Sequence, residues 1–389
     1  MERRPIYLDY AATTPVDPRV LEEMLACLPI GGAFANPSSS HAMGAAARRL
    51  VDAARAAIAA RIGVEPDGIV FTSGATEANN LALQGVLAAA PAEHRHLVTT
   101  RIEHKSVLDT ARSLESSGVG VTYVSCGSDG IVSPDDIAAA MRRDTALVSV
   151  MHVNNETGTI QPIVEIAELC RPRGVPLHVD AAQSVGKVPL DIGRSGIDLC
   201  SLTAHKACGP KGVGALYVRP GVPIAALLHG GEQQRGLRPG TLPTHQIVAM
   251  GKAFELADPA EDAPRLAALR EQLRNALVAV EGARVNGDFA RGAPHILNVA
   301  FPGVDGESLR FAIREIAVSA GSACMSDSPE ASHVLSTMGL SDAAASSSIR
   351  FSLGRFTTAD EIGLAAARVA EEVERLLGLA AAAPAWCRT

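Results

Sequence analysis

The first two thirds of the chain alternate short apolar runs with segments of helical period. Each run is bounded by turn-forming residues and is rich in Val, Ile and Leu, which is typical of buried strands. These runs predict strands at Ile69–Thr72, His96–Thr99, Val121–Val124, Ala146–Val150, Leu177–Val179, Leu199–Leu202 and Gly214–Val218.

The segments between most of these strands have the period of amphipathic helices. In Ala45–Arg61, for example, Leu50, Ala54 and Ile58 recur every four residues, as on the buried face of a helix. Strands that alternate with helices predict an α/β fold with a large, mostly parallel, seven-stranded sheet covered on both faces. Ligands of such folds bind at the carboxyl ends of the strands.

The last third of the chain has a different pattern, which predicts a smaller α+β domain. We place the large domain at residues 15–261 and the small domain at residues 1–14 and 262–389. The small domain's predicted elements are a helix, a strand, a helix and a terminal helix, at Ala263–Ala279, His295–Phe301, Ser308–Arg314 and Thr358–Leu377.

Composition narrows the class of protein. The chain has 389 residues, 47% of them hydrophobic, which is enough for a large core and two domains. Its net charge of -7 does not suggest direct nucleic-acid or membrane-surface binding. We see neither a secretory signal at the N-terminus nor an apolar run long enough to span a membrane.

The seven cysteines are scattered and include no Cys-x-x-Cys pair. This spacing predicts neither a disulfide framework nor a zinc site, so no metal is expected. A reducing, cytoplasmic location fits this pattern best.

Lys206 is the first candidate for chemistry. It follows Thr203 and His205 at the end of an apolar run and precedes a glycine-rich turn. A lysine desolvated there can act as a nucleophilic amine. Asp180 ends another apolar run, where a carboxylate must be paired. A lysine for a Schiff base and an aspartate for a ring nitrogen are what pyridoxal 5′-phosphate requires.

A second candidate is the segment Gly74–Glu77, which follows a strand and opens a helix. Its backbone amides and the Thr76 hydroxyl would make an anion cradle, although an ordinary Ser/Thr-capped helix start is the favoured interpretation of this segment taken alone. Thr203 and His205 offer further donors to the same anion only if the two strand ends are neighbours.

Other polar residues after strands have two interpretations each. His104 could stack on a flat ring and carry protons, or be structural. Asn155 could bind a ring hydroxyl or a carboxylate, or shape a turn. Arg350 and Arg355 both suit an α-carboxylate, and for Arg350 we favour a structural ion pair. Cys324 lies in a Gly/Ser-rich loop, where a cysteine is exposed and can be reactive.

Together these segments resemble the cysteine desulfurases of the NifS/IscS type. Those are pyridoxal-phosphate enzymes of the class-V aminotransferase family, with the fold-type I, aspartate-aminotransferase-like architecture. The resemblance covers nearly the whole chain, and its order and spacing make it specific. The segments that carry it are Tyr7–Pro15, Asn36–His41, Thr72–Glu77, Glu103–Lys105, Val153–Gly158, His178–Gln183, Ala204–Lys206, Gly321–Cys324 and Arg350–Arg355.

The resemblance implies a role for each matching residue. Lys206 would carry the cofactor as a Schiff base, Asp180 would pair with its ring nitrogen, and His104 would stack on the ring. Gln183 would contact the ring hydroxyl, and Asn155 and Arg355 would orient the substrate, with Asn155 also close to the cofactor. The phosphate would be held by Ala75, Thr76, Thr203 and His205, and by Thr241 of the other subunit of a homodimer.

The implied reaction converts L-cysteine to L-alanine and leaves the sulfur on Cys324 as a persulfide. Lys206 and His104 would carry the protons. The sulfur would then pass to an acceptor protein such as an iron–sulfur scaffold or a thiolation enzyme. Two alternatives stay open: a pyridoxal-phosphate selenocysteine lyase or aminotransferase, in which Cys324 is dispensable, and a sulfur-relay platform that needs a partner.

The chain departs from the family pattern in places. Thr203 stands where serine is commoner, and Pro239 stands where serine is usual, which affects the reach of Thr241. Cys208 occupies a position that is usually aromatic or histidine, and we expect it to serve packing. The tail Ala380–Thr389 does not resemble the segment by which housekeeping members engage the iron–sulfur scaffold.

Overall fold

A large seven-stranded sheet forms the centre of the molecule. The structure is a computed structural model and describes residues 5–320 and 332–382. The strand order is β2-β8-β7-β6-β5-β3-β4, and β8 runs antiparallel to both of its neighbours while the other pairs are parallel. In chain order, after β1 (Ile6–Tyr7), the strands are β2 (Ile69–Thr72), β3 (His96–Thr100), β4 (Gly120–Val124), β5 (Thr145–Met151), β6 (Leu177–Asp180), β7 (Leu199–Thr203) and β8 (Gly214–Val218).

Both faces of this sheet are buried. Successive side chains on a strand point to opposite faces, so each strand contributes to the core on either side. Val70 and Leu147 pack in the core on one face, whereas Phe71 and Val148 belong to the core on the other. Helices cover both faces at α1 (Pro18–Ala26), α2 (Ala42–Ile62), α3 (Ala75–Ala89), α4 (Lys105–Ser116), α5 (Pro134–Ala140), α6 (Ile163–Cys170), α7 (Ile192–Ser195) and α8 (Thr244–Glu255).

The remaining elements build a smaller antiparallel sheet of order β12-β13-β10-β9. Leu8 joins its core from the N-terminus, and β1 pairs in parallel with β11. The elements are α9 (Pro259–Leu277), β9 (Arg284–Val285), β10 (Ile296–Ala300), α10 (Gly306–Ala312), β11 (Ile316–Ala317), β12 (Ser319–Ala320), α11 (His333–Thr337), α12 (Asp342–Ser346), β13 (Ser348–Ser352) and α13 (Ala359–Ala382).

The predicted α/β class and the seven strands of the large sheet are confirmed, each within one or two residues. The buried face predicted for α2 is wrong at one position. Leu50 is 39% exposed, and Val51 is buried in its place. Ala54 and Ile58 are buried as expected. The inward stripe therefore follows a three-then-four spacing from Val51, which is the period of an α-helix.

Gly214 allows the end of β7 and the start of α3 to approach each other closely. A Cβ on Gly214 would lie 2.5 Å from the Leu202 carbonyl oxygen and 2.7 Å from the Gly74 Cα. Only glycine permits this approach, which brings the end of β7 close to the start of α3. The two candidate anion-binding segments are thereby made neighbours.

Within the described residues, no helix combines the length and apolar character needed to cross a membrane.

Candidate active site

A cavity of about 510 Å³ opens at the carboxyl ends of the parallel strands. The structure brings together here most of the residues singled out in the sequence, although they come from separate parts of the chain. Those that line the cavity are Ala75, Thr76, His104, Asn155, Asp180, Gln183, Thr203, His205 and Lys206.

Asp180 ends β6 and is 5% exposed. Its Oδ2 accepts a hydrogen bond from Asn79 Nδ2 at 2.7 Å, and its Oδ1 accepts one from the Ala182 amide at 2.9 Å. Both donors are neutral. The carboxylate is therefore held in a fixed orientation without having its charge cancelled by these two groups, which suits a site for a protonated ring nitrogen.

Lys206 lies in the turn that follows β7, with its side chain on the cavity. A second lysine supports this turn from behind. Lys187 is 7% exposed, and its Nζ donates to the Lys206 carbonyl oxygen at 2.7 Å. Burial is the main cause that lowers the pKa of Lys187 to about 7. Lys206 thus presents its amine to the cavity, while Lys187 holds the backbone of Lys206 in place.

The anion cradle lies at the N-terminal end of α3. Gly74 precedes the helix and supplies no side chain to cap it, so the first amides, at Ala75 and Thr76, lie at the cavity wall. Thr203 is 2% exposed, and its Oγ1 has no hydrogen-bond partner among the described residues. An orphaned buried hydroxyl beside a helix N-terminus fits a bound phosphate.

His205 borders the same part of the cavity. Its Nδ1 lies 3.2 Å from Thr13 Oγ1, and its carbonyl oxygen accepts from Thr14 Oγ1 at 2.8 Å. Burial, followed by the charges of Lys206, Lys211 and Lys187, lowers the pKa of His205 to about 4. The ring is therefore neutral near pH 7 and offers a hydrogen bond, not a positive charge.

His104 caps the start of α4, and its Nδ1 accepts the Ser106 amide at 3.1 Å. Its pKa is lowered first by burial and then by the charge of Lys206. Gln183 is 3% exposed and donates from Nε2 to the Ala11 carbonyl oxygen at 2.8 Å. The N-terminal segment forms part of the cavity wall, because Ala11, Ala12 and Thr13 line it as well.

Arg355 does not line the cavity, so the structure gives no support to its predicted contact with substrate. Its Nη1 donates to Asp17 at 3.1 Å, and its Nη2 donates to Asp262 at 3.1 Å and to the Leu256 carbonyl oxygen at 2.8 Å. The reason is positional: Gly354 ends the extended segment after β13, and the turn carries Arg355 away to these carboxylates.

Arg350 lines the cavity instead. It is 1% exposed and donates to Asp9 Oδ1 at 2.8 Å and to the Asn155 carbonyl oxygen at 2.9 Å. The favoured interpretation as a structural ion pair is confirmed by the Asp9 contact. It is incomplete, however, because the buried Nε has no hydrogen-bond partner among the described residues.

Sequence reasoning missed several buried polar residues around the cavity. Asn79 is fully buried on α3. Glu103 is 1% exposed, and burial raises its pKa to about 8. Glu156 accepts a 2.5 Å hydrogen bond from Ser332 Oγ, and burial raises its pKa as well. His333 lines the cavity and contacts the Glu103 carbonyl oxygen at 3.0 Å.

Three remaining residues lie elsewhere. Thr241 is exposed and does not line the cavity of its own chain within the described ranges. Cys208 is 5% exposed, and burial raises its pKa, as expected of a packing residue. Cys324 lies outside the described residues.

The residues present fit pyridoxal 5′-phosphate at its phosphate, its ring nitrogen and its aldehyde carbon. A helix N-terminus and the orphaned Thr203 hydroxyl suit the phosphate, Asp180 suits the ring nitrogen, and Lys206 supplies the amine.

Comparison with known proteins agrees with this geometry. Residues 6–364 match the family described as aminotransferase class-V. The chain is 51% identical to the cysteine desulfurase IscS of Pectobacterium atrosepticum over 387 residues, which is 98% of this chain and 95% of that protein.

Two solved structures extend the comparison. A NifS-like protein superposes with a TM-score of 0.90 at 37% identity, covering 95% of this chain and 100% of the other. A structure described as SspA in complex with cysteine has a TM-score of 0.81 at 38% identity, covering 91% and 100%. The chain therefore belongs to the class-V aminotransferase family and, within it, to the cysteine desulfurases of the IscS type.

Proposed function

We propose that this protein is a pyridoxal-phosphate-dependent cysteine desulfurase that transfers sulfur from L-cysteine to its own Cys324. The observation that carries the proposal is the meeting of Lys206 and Asp180 in one cavity that also contains the guanidinium of Arg350. A lysine–aspartate pair alone indicates the cofactor. The arginine adds a recognition site for the carboxylate of an amino acid.

The cofactor would be held by Lys206 through its amine, by Asp180 at the ring nitrogen, and by Gln183 at the ring hydroxyl. Its phosphate would lie against the start of α3 and the hydroxyl of Thr203. When bound, it supplies an electron sink that makes the substrate Cα–H bond acidic. His104 would lie against the ring.

Arg350 is the proposed anchor for the substrate carboxylate. Arg350 lines the cavity, and its buried Nε has no hydrogen-bond partner among the residues that the structure describes. Asp9 and the Asn155 carbonyl oxygen accept hydrogen bonds from its two Nη atoms. A buried donor without a partner costs free energy, which a bound carboxylate would recover. Asn155 follows on the same wall and would bind beside it.

The reaction transfers the sulfur atom of L-cysteine to the thiol of Cys324, which becomes a persulfide. The Lys206 amine takes the proton from Cα, and the Cys324 thiolate attacks the substrate sulfur. An S–S bond forms as the Cβ–S bond breaks, and the carbon fragment gains protons to become alanine. The balance is L-cysteine plus Cys324–SH giving L-alanine plus Cys324–S–SH, with no external oxidant.

We also propose a homodimer in which Thr241 completes the phosphate site of the other subunit. Thr241 is exposed, and it lies close in sequence to Arg238, whose Nε donates to Glu77 on α3 at 2.8 Å. Exposed apolar side chains around α1 support the same conclusion: Ile30 is 92% exposed and Leu25 is 53% exposed.

The division into domains and the destination of the sulfur are proposals as well. A large domain at 15–261 and a small one at 1–14 and 262–389 are supported by the separate core that joins Leu8 to residues 266–316 and 349–373. Between these two ranges, Val334 and Leu335 pack in the core of the large sheet. The acceptor would be an iron–sulfur scaffold or a thiolation protein in the cytoplasm, as the sequence led us to expect.

The function is tested by following alanine and sulfide released from L-cysteine with a thiol reductant present. Wild type should produce both in equal amounts, Lys206→Ala should produce neither, and Cys324→Ala should lose most activity. Cys208→Ala is the matched control and should retain activity, because Cys208 is buried outside the cavity. Wild-type turnover by Cys324→Ala would refute the persulfide route.

A further inference from the structure

Asn79 links two residues of the active site that belong to different elements. Its side chain is fully buried on α3. From there Nδ2 lies 2.7 Å from Asp180 Oδ2 and 2.8 Å from Ser106 Oγ. Ser106 Oγ in turn lies 2.8 Å from His104 Nδ1. An unbroken chain of short hydrogen bonds thus runs from the Asp180 carboxylate to the His104 ring.

The direction of each bond in this chain follows from the donors available. The amide nitrogen of Asn79 carries two hydrogens and donates one to Asp180 and one to Ser106. The Ser106 hydroxyl accepts from Asn79, so its own proton is available to His104. The backbone amide of Ser106 also points at His104 Nδ1, at 3.1 Å, and an amide can only donate. Nδ1 is therefore an acceptor, and the neutral ring carries its proton on Nε2.

We infer that Asn79 and Ser106 are positioning residues: they fix His104 as the Nε2–H tautomer and tie that tautomer to the orientation of Asp180. In this state His104 presents an N–H group through Nε2, so it acts as a hydrogen-bond donor and not as a proton acceptor. Removal of the Cα proton is left to Lys206. This consequence for turnover rests on the proposed function, whereas the tautomer itself does not.

The charges around His104 favour the same neutral ring as the chain of hydrogen bonds through Asn79 and Ser106, which we call the relay. Burial has the largest effect on its pKa and lowers it, and the electrostatic interactions with Lys206 and His333 lower it further. Asp180 and Asp109 act in the opposite direction, and the net pKa is lowered. Protonation of Nδ1 would also place its hydrogen against the Ser106 amide and would require the Ser106 hydroxyl to turn away. The neutral ring is thus favoured twice, by its surroundings and by the relay.

The relay is specific to particular side chains, which provides matched variants. Ser106→Ala removes the hydroxyl but keeps the backbone amide. Asn79→Ala breaks the relay without touching His104. Asn80→Ala is the control, because Asn80 is the next residue on α3 and bonds instead to the Thr76 carbonyl oxygen.

The test is nitrogen NMR of the holoenzyme labelled with ¹⁵N-histidine, titrated with pH and assigned with His104→Gln. The wild-type His104 signals should show the Nε2–H tautomer. Ser106→Ala and Asn79→Ala should each raise the titration midpoint of His104, on the order of half a pH unit for one hydrogen bond. The double variant should shift no further than the larger single shift, since both changes break one chain.

Several results would overturn the inference: an Nδ1–H tautomer in wild type, midpoints unchanged in both variants, or additive shifts. Asn80→Ala should match wild type, and an equal shift there would show a general effect of altering α3. If Asn79→Ala does not fold, Ser106→Ala carries the test alone. The NMR signals need no substrate, so they remain interpretable even if the desulfurase reaction fails.

Discussion

Arg350 donates a 2.8 Å hydrogen bond to Asp9, a residue more than 300 positions earlier in the chain. Ser319 Oγ donates to the same carboxylate oxygen at 2.9 Å. The N-terminal segment thereby orients a buried guanidinium at the active-site cavity. The pair also explains why the beginning of the chain belongs to the functional motif.

Replacement of Arg350 by lysine should weaken substrate binding. Lysine keeps a positive charge near Asp9 but lacks the planar fork that binds a carboxylate through two nitrogens. A lost charge-assisted hydrogen bond of about 1.5–3 kcal/mol predicts a rise of roughly 10- to 150-fold in the KM for L-cysteine. Steady-state kinetics of alanine formation measure this. An unchanged KM would remove Arg350 from the substrate site.

Replacement of Arg355 by alanine should lower stability instead of substrate affinity. The change leaves the buried Asp17 and the largely buried Asp262 without their shared partner. Asp17 keeps its pair with Arg19, and Asp262 keeps its pair with Arg265. We therefore expect a loss of roughly 1–2 kcal/mol in the free energy of unfolding, less than for breaking a fully buried pair. Denaturant titration measures it. Arg112→Ala, which breaks an exposed pair with Asp109, should change stability by less than about 1 kcal/mol.

Glu103 should make stability depend on pH. Burial raises its pKa from 4.5 to about 8. Between these values the unfolded chain loses the proton that the folded chain keeps, so this contribution to stability is full below pH 4.5 and disappears as pH rises to about 8. Glu103→Gln should therefore lose less stability than wild type between pH 5 and 8.

Unfolding curves at several pH values test this prediction. The exposed Glu165→Gln variant is the control and should follow the wild-type curve. Parallel curves for wild type and Glu103→Gln would mean that the carboxyl is already ionised in the folded protein.

The proposed role of Thr241 across a dimer predicts complementation. Thr241→Ala should weaken cofactor binding about tenfold or more, as for one hydrogen bond to a charged phosphate. A mixed dimer of Thr241→Ala and Lys206→Ala chains should contain one intact site with normal cofactor affinity, because that site receives Thr241 from the other chain. Equilibrium titration of separated mixed dimers decides this, and weak binding at every site would place Thr241 in its own subunit's site.

The sequence was sufficient to predict the strands of the large sheet, because each strand is a short apolar run that must be buried on both faces. It also located Lys206, Asp180 and Thr76, since each follows such a run. It assigned the substrate to Arg355 and an ion pair to Arg350, because both are arginines of one motif and the sequence does not show which of them lines the cavity. Only the turn after Gly354 separates the cavity from the ion pairs with Asp17 and Asp262.

Asn79 shows another reason for incomplete prediction. A polar residue in a helix normally indicates a solvent-exposed face, whereas Asn79 is completely buried. A signal was present, because Asn79 precedes the buried Ala82 and Leu83 by three and four residues on the same helical stripe. Its partners Asp180 and Ser106, however, come from other elements and required the fold.

The central claim is tested most directly by the mass of the Cys324 peptide after one turnover. Holoenzyme is mixed with one equivalent of L-cysteine without reductant, alkylated and digested. The account predicts one added sulfur atom on Cys324 with an equimolar amount of alanine, and none on Cys208. Alanine formed at the wild-type rate without added sulfur on Cys324, or by a Cys324→Ser variant, would contradict it.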